Sequence, residues 1–562
     1  MSSSVATAAR GRTRFRSLLP RRRDLAAMAR DPRRDLVAGV TVGIVALPLA
    51  LAFGVTSGMG AAAGLVTAVV AGALAALFGG SNLQVSGPTG AMTVVLVPII
   101  AEFGPEGVLV VGILAGLLLL AMAAAGIGRY VRLIPLPVIE GFTLGIAVII
   151  GLQQLPAALG VAGEGEKVLA VAARALVAWS SAPQWAPVVM AFGVAAVMLA
   201  LARFRPAVPA SLLGVVVATL VAEMAHLDVA RIGTLPAGLP MPSVPVVPWA
   251  QLHALLLPAV AVALLAGLES LLSATVADAM SVDERHDPHR ELFGQGIANL
   301  ASPLFGGIPA TAAIARTAVN VRSGATSRLA AVSHSAVLLL AVMLLAPLVG
   351  RIPLAALAGV LVATAVRMVE VSSVRALFRS GRSDAAVLAL TAVATIALDL
   401  VMAVALGVLV AGGIALRQLA REAAVTEVPL RPVTGDRSEE EHALLDEHIV
   451  AYRLDGPLFF AGAHTALLEL SELSDVRVVI LRMGRVAALD STGAAVLRDT
   501  IQQLERRGIT VLLSGVPDRH TAVLEALGVY ESLGHERHLF TSTQEAIVHA
   551  RRHAARAPHE AA

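Results

Sequence analysis

Residues Gly306–Asn320 read GGIPATAAIARTAVN, and far upstream Val85–Thr93 read VSGPTGAMT. Each stretch opens on glycine, proline and hydroxyl residues and then runs into a helix-compatible segment. A helix that crosses a bilayer needs about 20 apolar residues, whereas Pro88–Ile100 and Thr311–Val321 would each span only ~15–20 Å. Paired, interrupted segments in two halves of a membrane protein are the best sequence pointer to a substrate site near the midplane. The two stretches are therefore expected to face each other.

The surrounding composition fits a membrane setting. Of 562 residues, 57% are hydrophobic and 15% are charged, and the mean hydropathy is +0.78. Soluble domains carry about 25% charged residues. The charge also clusters in residues 1–34 and after Arg417. This pattern predicts a basic N-terminal arm (1–34), a polytopic transmembrane domain (35–421), a linker (422–447), a small soluble domain (448–553) and a tail (554–562). The arm holds ten arginines and no cleavage motif before the first apolar run, so it reads as a cytosolic basic tail without a specific partner. Only Lys167 among the 43 basic residues is a lysine, so an arginine is informative here by location and not by type. With no cysteines, disulfides, zinc-thiolate sites and thiol catalysis are excluded.

Fourteen apolar segments recur through the transmembrane domain: Leu36–Val55, Ala61–Phe78, Pro88–Ile100, Gly107–Gly126, Pro137–Leu155, Trp185–Leu201, Ala207–Met224, Leu252–Ser281, Leu292–Leu304, Thr311–Val321, Leu329–Val349, Pro353–Val369, Ala385–Leu398 and Leu400–Ala420. With a cytosolic N-terminus, alternating crossings put Arg129, Arg132, Arg203, Arg205, Arg285, Arg290, Arg322, Arg328, Arg375, Arg379 and Arg382 on the inside. The outside loops hold only Lys167, Arg174, Arg231 and Arg351, which is the positive-inside bias. Fourteen divides into seven and seven, and an odd-numbered repeat is inverted. The short third and tenth segments then lie antiparallel.

This arrangement suits an anion. A helix N-terminus offers unpaired N–H groups and partial positive charge, so two facing starts would cradle an oxyanion. Gly87 and Gly90 permit close backbone approach, Pro88 stops a preceding helix, and Ser86, Thr89 and Thr311 offer hydroxyls. Arg316 adds a formal charge, and an ionisable residue at membrane depth is by default functional. Glu269, in the apolar run ALLAGLESLL (Ala263–Leu272), is a candidate coupling site for a proton or cation. Ser273 lies one turn on; the alternative for Glu269 is a structural pairing with Arg316 or another group, and Asp278, on the opposite face nearer the inner end, reads first as structural and second as part of the coupling site. The loop DERHDPHR (Asp283–Arg290) reads as solvated, since its spacing fits no standard metal pattern. No cofactor, metal or nucleic-acid site is expected, and no constellation for enzyme catalysis is present.

After a polar linker, strands are predicted at Ile449–Leu454, Leu458–Ala461, Val476–Leu481 and Thr510–Ser514. Helices are predicted at Ala466–Ser471, Thr492–Arg506 and Thr521–Leu527, giving a small α/β domain. The LDSTG motif (Leu489–Gly493) puts Asp490 or Ser491 at a helix cap, followed by Thr492.

Together these stretches resemble the SulP family of sulfate permeases and anion exchangers. The resemblance is carried by VALPLALAFGVTSG (Val45–Gly58), FGGSNLQVSGPTGAM (Phe78–Met92), GLESLLSATVADAM (Gly267–Met280) and GQGIANLASPLFGGIPATAAIARTAVNVRSGATS (Gly294–Ser327). The tail resembles a STAS domain, in which Ser491 matches a serine that becomes phosphorylated in related anti-sigma-factor antagonists. The resemblance implies a fourteen-helix, seven-plus-seven inverted repeat with core and gate domains, an elevator-like movement and commonly a homodimer. It implies an anion site comprising Phe53, Gly87–Gly90 and Thr311–Thr317 around Arg316, with Ala313, Ala315 and Thr317 among its residues, and Glu269 at the position used for proton coupling. Leu49 stands where many members carry Gln or Glu, and Ala313 and Ala315 stand where many carry serine; both changes make the site less polar. The expected function is secondary active uptake of a small anion, sulfate first, with proton or sodium coupling, in a plasma (inner) membrane with both termini cytoplasmic. Bicarbonate or C4-dicarboxylate transport and an uncoupled anion channel are the alternatives. A nucleobase symporter would want carboxylates in Thr311–Val321, which has none, and the intact repeats argue against a sensor alone.

Overall fold

The computed structural model describes residues 18–556 except 130–133, 164, 166, 206–207, 237, 247–251, 282–283, 399, 422–423, 428–447, 460–475 and 535–537. The described residues form two compact units, Met1–Val408 and Leu409–Ala562.

The first unit is helical. Its elements are α1 (Arg22–Met28), α2 (Pro32–Thr56), α3 (Ala61–Phe78), β1 (Ser86–Gly87), α4 (Gly90–Ala125), α5 (Leu136–Gln153), α6 (Leu155–Leu159), α7 (Val168–Ser181), α8 (Trp185–Phe204) and α9 (Ala210–Met224). They continue with α10 (Leu252–Met280), α11 (Pro288–Leu304), β2 (Thr311–Ala312), α12 (Ile314–Arg322), α13 (Arg328–Val349), α14 (Leu354–Met368), α15 (Val371–Ser380) and α16 (Arg382–Ala397), and α17 (Leu400–Arg421) begins in this unit and runs past its end at Val408. Among the described residues, eight helical spans are long and apolar enough to cross a membrane. Val168–Ser181, Ala210–Met224 and Met402–Gln418 are shorter apolar helices. The chain is thus a multi-pass membrane protein, while fourteen crossings remain an expectation.

Local sequence explains where these helices begin. Asp31 caps α2 by accepting from Arg34 N, with proline in the first turn, so the helix starts at Pro32 and not Leu36. Asp287 accepts from the amides of His289 and Arg290 and starts α11 at Pro288. The predicted Pro88–Ile100 and Gly107–Gly126 segments form one run, α4, broken at Gly104 (φ 69°, ψ −175°) beside Pro105. Small residues then let the helices approach, as is usual between membrane helices. A Cβ on Gly64 would overlap the Ala50 carbonyl, which joins α3 closely to α2.

Three expectations change. The arm is not featureless throughout: α1 is helical, and its Asp24 accepts from Arg290 Nη2 at 2.7 Å. The DERHDPHR loop is not simply solvated, because Arg290 is buried, Asp287 is a cap, and His286 pairs with Asp278 at 2.7 Å. Helices α7 and α15 were not predicted. Each sits between the fifth and sixth apolar segments of its half, so the two halves share the insertion.

The second unit carries a five-stranded sheet of order β3-β4-β5-β6-β7: β3 (Ala424–Glu427), β4 (Ile449–Leu458), β5 (Val478–Leu489), β6 (Thr510–Ser514) and β7 (Leu539–Phe540). Only β3 is antiparallel to its neighbour. The helices are α18 (Ser491–Arg506), α19 (Asp518–Ala526) and α20 (Thr543–Arg556). Alternation decides the layers. Val479, Leu481, Val511 and Leu513 pack on Leu497, Ile501 and Leu504, whereas Val478, Ile480 and Leu512 pack on Ala546, Ile547 and Ala550. The predicted strand Ile449–Leu454 runs on to Leu458 as β4, with register shifts at Arg453/Asp455 and Gly456/Leu458, while residues 460–461 of the predicted strand Leu458–Ala461 lie outside the described residues. Strand β3 falls in the predicted linker, most of which lies outside the described residues, as does the predicted helix Ala466–Ser471.

Candidate anion site

The two opening stretches meet. β1 and β2 pair antiparallel, with Ser86 opposite Ala312 and Gly87 opposite Thr311. A helix follows each strand almost at once, α4 at Gly90 and α12 at Ile314. The expected helix Thr311–Val321 therefore opens as a strand. This pairing satisfies backbone groups that an interrupted membrane segment would otherwise leave bare.

The first intrahelical acceptors are Thr89 O for the Thr93 amide and Ala313 O for the Thr317 amide. The amides of Gly90 and Ala91, and of Ile314, Ala315 and Arg316, consequently have no acceptor within their own helices. Both helix starts also carry the positive end of a helix dipole. Arg316 is 2% exposed, and its Nη2 donates to Pro88 O at 2.9 Å, tying α12 to the stretch before α4. Its Nη1 donates to no described residue. A Cβ on Gly87 would lie 2.6 Å from that nitrogen, so glycine here makes room for the guanidinium. Phe53 of α2 is buried beside the start of α4, its Cε1 3.2 Å from where a Gly90 Cβ would be.

The candidate hydroxyls do something other than point freely at a ligand. Ser86 Oγ accepts from Gln295 Nε2 at 2.7 Å. Thr311 Oγ1 lies 3.1 Å from Ser270 Oγ and donates to Ala266 O at 3.2 Å. Thr317 Oγ1 meets Ser273 Oγ at 2.9 Å and accepts from the Val85 amide at 3.1 Å. Thr89 caps α4 by accepting from Met92 N, and donates to Glu269 Oε2 at 3.0 Å. The hydroxyls build the frame, which leaves backbone N–H groups and Arg316 as donors. Ala313 is half-buried and Ala315 exposed at the α12 start.

Glu269 is half-buried and forms no ion pair within 4.0 Å among the described residues, so the pairing alternative with Arg316 is not realised as a direct contact. Asp278 stands apart from this cluster, accepting from the His286 amide at 3.0 Å and fastening the loop before α11. Sequence reasoning did not single out several framework residues. Asn299 holds Ala310 by both ends of its amide, donating to its carbonyl at 2.9 Å and accepting from its amide at 2.8 Å. Asn320 Nδ2 donates to Leu83 O at 2.7 Å, and Gln84 Nε2 to Ser270 O at 2.9 Å. Their signal was an amide side chain in an apolar run, where an unpaired polar group is costly. In the second unit, Asp490 caps α18 by accepting from Gly493 N at 2.7 Å, and Ser491 and Thr492 are exposed at that helix start.

The sulfate permease family profile matches residues 33–391, and the STAS domain profile matches residues 443–546. YvdB of Bacillus subtilis, provisionally named a sulfate transporter, is 35% identical over 91% of this chain and 97% of its own. The bicarbonate transporter BicA of Picosynechococcus is 31% identical over 93% of this chain and 95% of its own. The solved transmembrane domain of a cyanobacterial BicA aligns with a TM-score of 0.60 at 33% identity, covering 68% of this chain and 97% of that one. Murine Slc26a9 aligns with a TM-score of 0.79 at 17% identity, over 92% and 91% of the two chains, a likeness of fold. The chain belongs to the sulfate permease family of membrane transporters, with a STAS domain following the transport domain.

Proposed function

We propose that the protein is a secondary active transporter of a small inorganic anion, which binds between the starts of α4 and α12. The observation that carries this reading is Arg316: buried, held by Pro88 O, and presenting an uncommitted Nη1 between two helix N-termini. The anion's charge would be met by that guanidinium and by the free amides of both helices. Glu269, joined to the α4 start through Thr89, would sense the coupling ion, a proton or sodium. Alternating access would proceed by an elevator-like shift of the core in a homodimer, in the inner membrane with cytoplasmic termini. Phosphorylation of Ser491 would act as regulation and not on substrate choice.

Sulfate is the first candidate substrate. Bicarbonate is the second reading, favoured by the BicA relatives and by a site whose hydroxyls are already engaged; a C4-dicarboxylate and an uncoupled channel follow. Proteoliposome uptake of labelled sulfate, bicarbonate and succinate under separately imposed proton and sodium gradients tests the assignment. Concentrative uptake of one anion under one gradient supports it, and current without coupled accumulation would make the protein a channel.

A further inference from the structure

The STAS unit contains a cluster that the transport reading does not use. His549 and His553 are four residues apart on α20 and therefore share a face. His538 directly precedes the edge strand β7 and is 4% exposed. The three rings converge, with centroid separations of 5.6, 5.1 and 4.9 Å. One ligand-capable nitrogen from each lies within 4.8 Å of the others. The Nε2 atoms of His549 and His553 are 3.2 Å apart.

We propose that His538, His549 and His553 form a binding site for a divalent transition metal of the zinc class. Imidazole nitrogens bind Zn²⁺ at about 2.0–2.1 Å, so two ligands of one tetrahedral ion stand roughly 3.3 Å apart, close to the separation seen. Three protein ligands leave a fourth position for water or an outside donor. A chain without cysteine has imidazole as its remaining strong ligand for such ions. The matched STAS residues end at 546, so two of the three ligands lie beyond what the family profile covers. The sequence reading passed over the site because His538 is too far from the pair on α20 for any standard spacing; the return of the chain from β7 into α20 brings them together. A bound ion would clip α20 to the sheet edge and stabilise this end of the unit by mass action.

The test uses the full-length chain, purified in detergent without a polyhistidine tag. Zn²⁺ is titrated in competition with a chromophoric chelator, and Co²⁺ binding is followed by visible absorption. One tight equivalent per chain is expected, with the intense ligand-field bands of a tetrahedral Co²⁺ site that Zn²⁺ abolishes. His549→Gln combined with His553→Gln should weaken that equivalent at least 100-fold while leaving the other histidines as an internal background. The absence of a tight equivalent in the unmutated chain overturns the proposal. So does an equivalent that survives the double substitution, or a weak octahedral Co²⁺ spectrum. The Co²⁺ spectrum is read on the unmutated chain, so the proposal does not depend on how well the variant folds.

Discussion

The two helix starts at the strand pair look like symmetric copies in sequence, yet they are finished differently. The α4 start is capped by a side chain, Thr89, which also holds Glu269. The α12 start has Ala313 at its cap position with no side-chain bond, and carries Arg316 inside its first turn. One half is thus closed by a hydroxyl and linked to an acid. The other is left open and given a cation. The repeat supplies the two starts, and the departures from symmetry come from the second half: Arg316 lies on α12, and Glu269, the acid that Thr89 holds, lies on α10.

The harshest way to break this asymmetry is Arg316→Ala. It removes the buried cation and the donor to Pro88 O together, and charged hydrogen bonds are worth up to about 3 kcal/mol, or ~100-fold in binding. Uptake in proteoliposomes should fall by about that factor or more while the purified protein stays folded. Near-normal transport would remove Arg316 from the site. Glu269→Gln attacks the acid that Thr89 holds at the α4 start and, on the proposed reading, should act on coupling. Gradient-driven stimulation should fall on the order of 10-fold, within the usual range of coupling energies, while exchange down the anion's own gradient persists. The pH dependence of uptake should flatten, and an unchanged profile would reassign coupling to another group.

Thr89→Ala is milder and lies between the two roles. Losing an N-cap hydroxyl costs about 1 kcal/mol, and the same change releases Glu269. A fall in melting temperature of about 1 °C is expected for a transport domain of this size, with weakened coupling. If stability drops but coupling is intact, Thr89 is a cap alone.

Much of this site was legible because it depends on local chemistry. Pro88, Gly87 and Gly90 announce an interruption wherever they fall, and a lone Arg316 or Glu269 in an apolar run is conspicuous by cost. The pairing of Ser86–Gly87 with Thr311–Ala312 was anticipated as facing segments but not as strands, since two residues on each side are too few to show an alternating pattern. The roles of the hydroxyls were misread for a related reason. Whether Thr311 or Thr317 points at a ligand or at Ser270 and Ser273 is set by α10, which sequence spacing does not place. Helix α7 escaped notice because Arg174 interrupts a short apolar run. Helix α20 was hidden in an Arg- and His-rich stretch, where only Ala546, Ile547 and Ala550 mark the buried face.

The finest test of the asymmetry is to erase it by addition. Ala313→Ser would give α12 the side-chain cap that α4 already has, at a position whose backbone is extended (φ −108°, ψ 119°) and suited to a capping serine. In a purely structural view the change stabilises the helix by about 0.5–1 kcal/mol and leaves transport alone. If the bare amides at this start serve the anion, the new hydroxyl competes with the substrate for one of them while offering a donor of its own. Anion preference should then shift by a few-fold, roughly what one net hydrogen bond contributes, with the coupling ratio unchanged. Measuring relative uptake of sulfate and bicarbonate by the variant separates the two views. A stabilised protein with an unaltered preference ratio would mean that the open cap is a packing consequence and that Arg316 alone meets the ligand from this side.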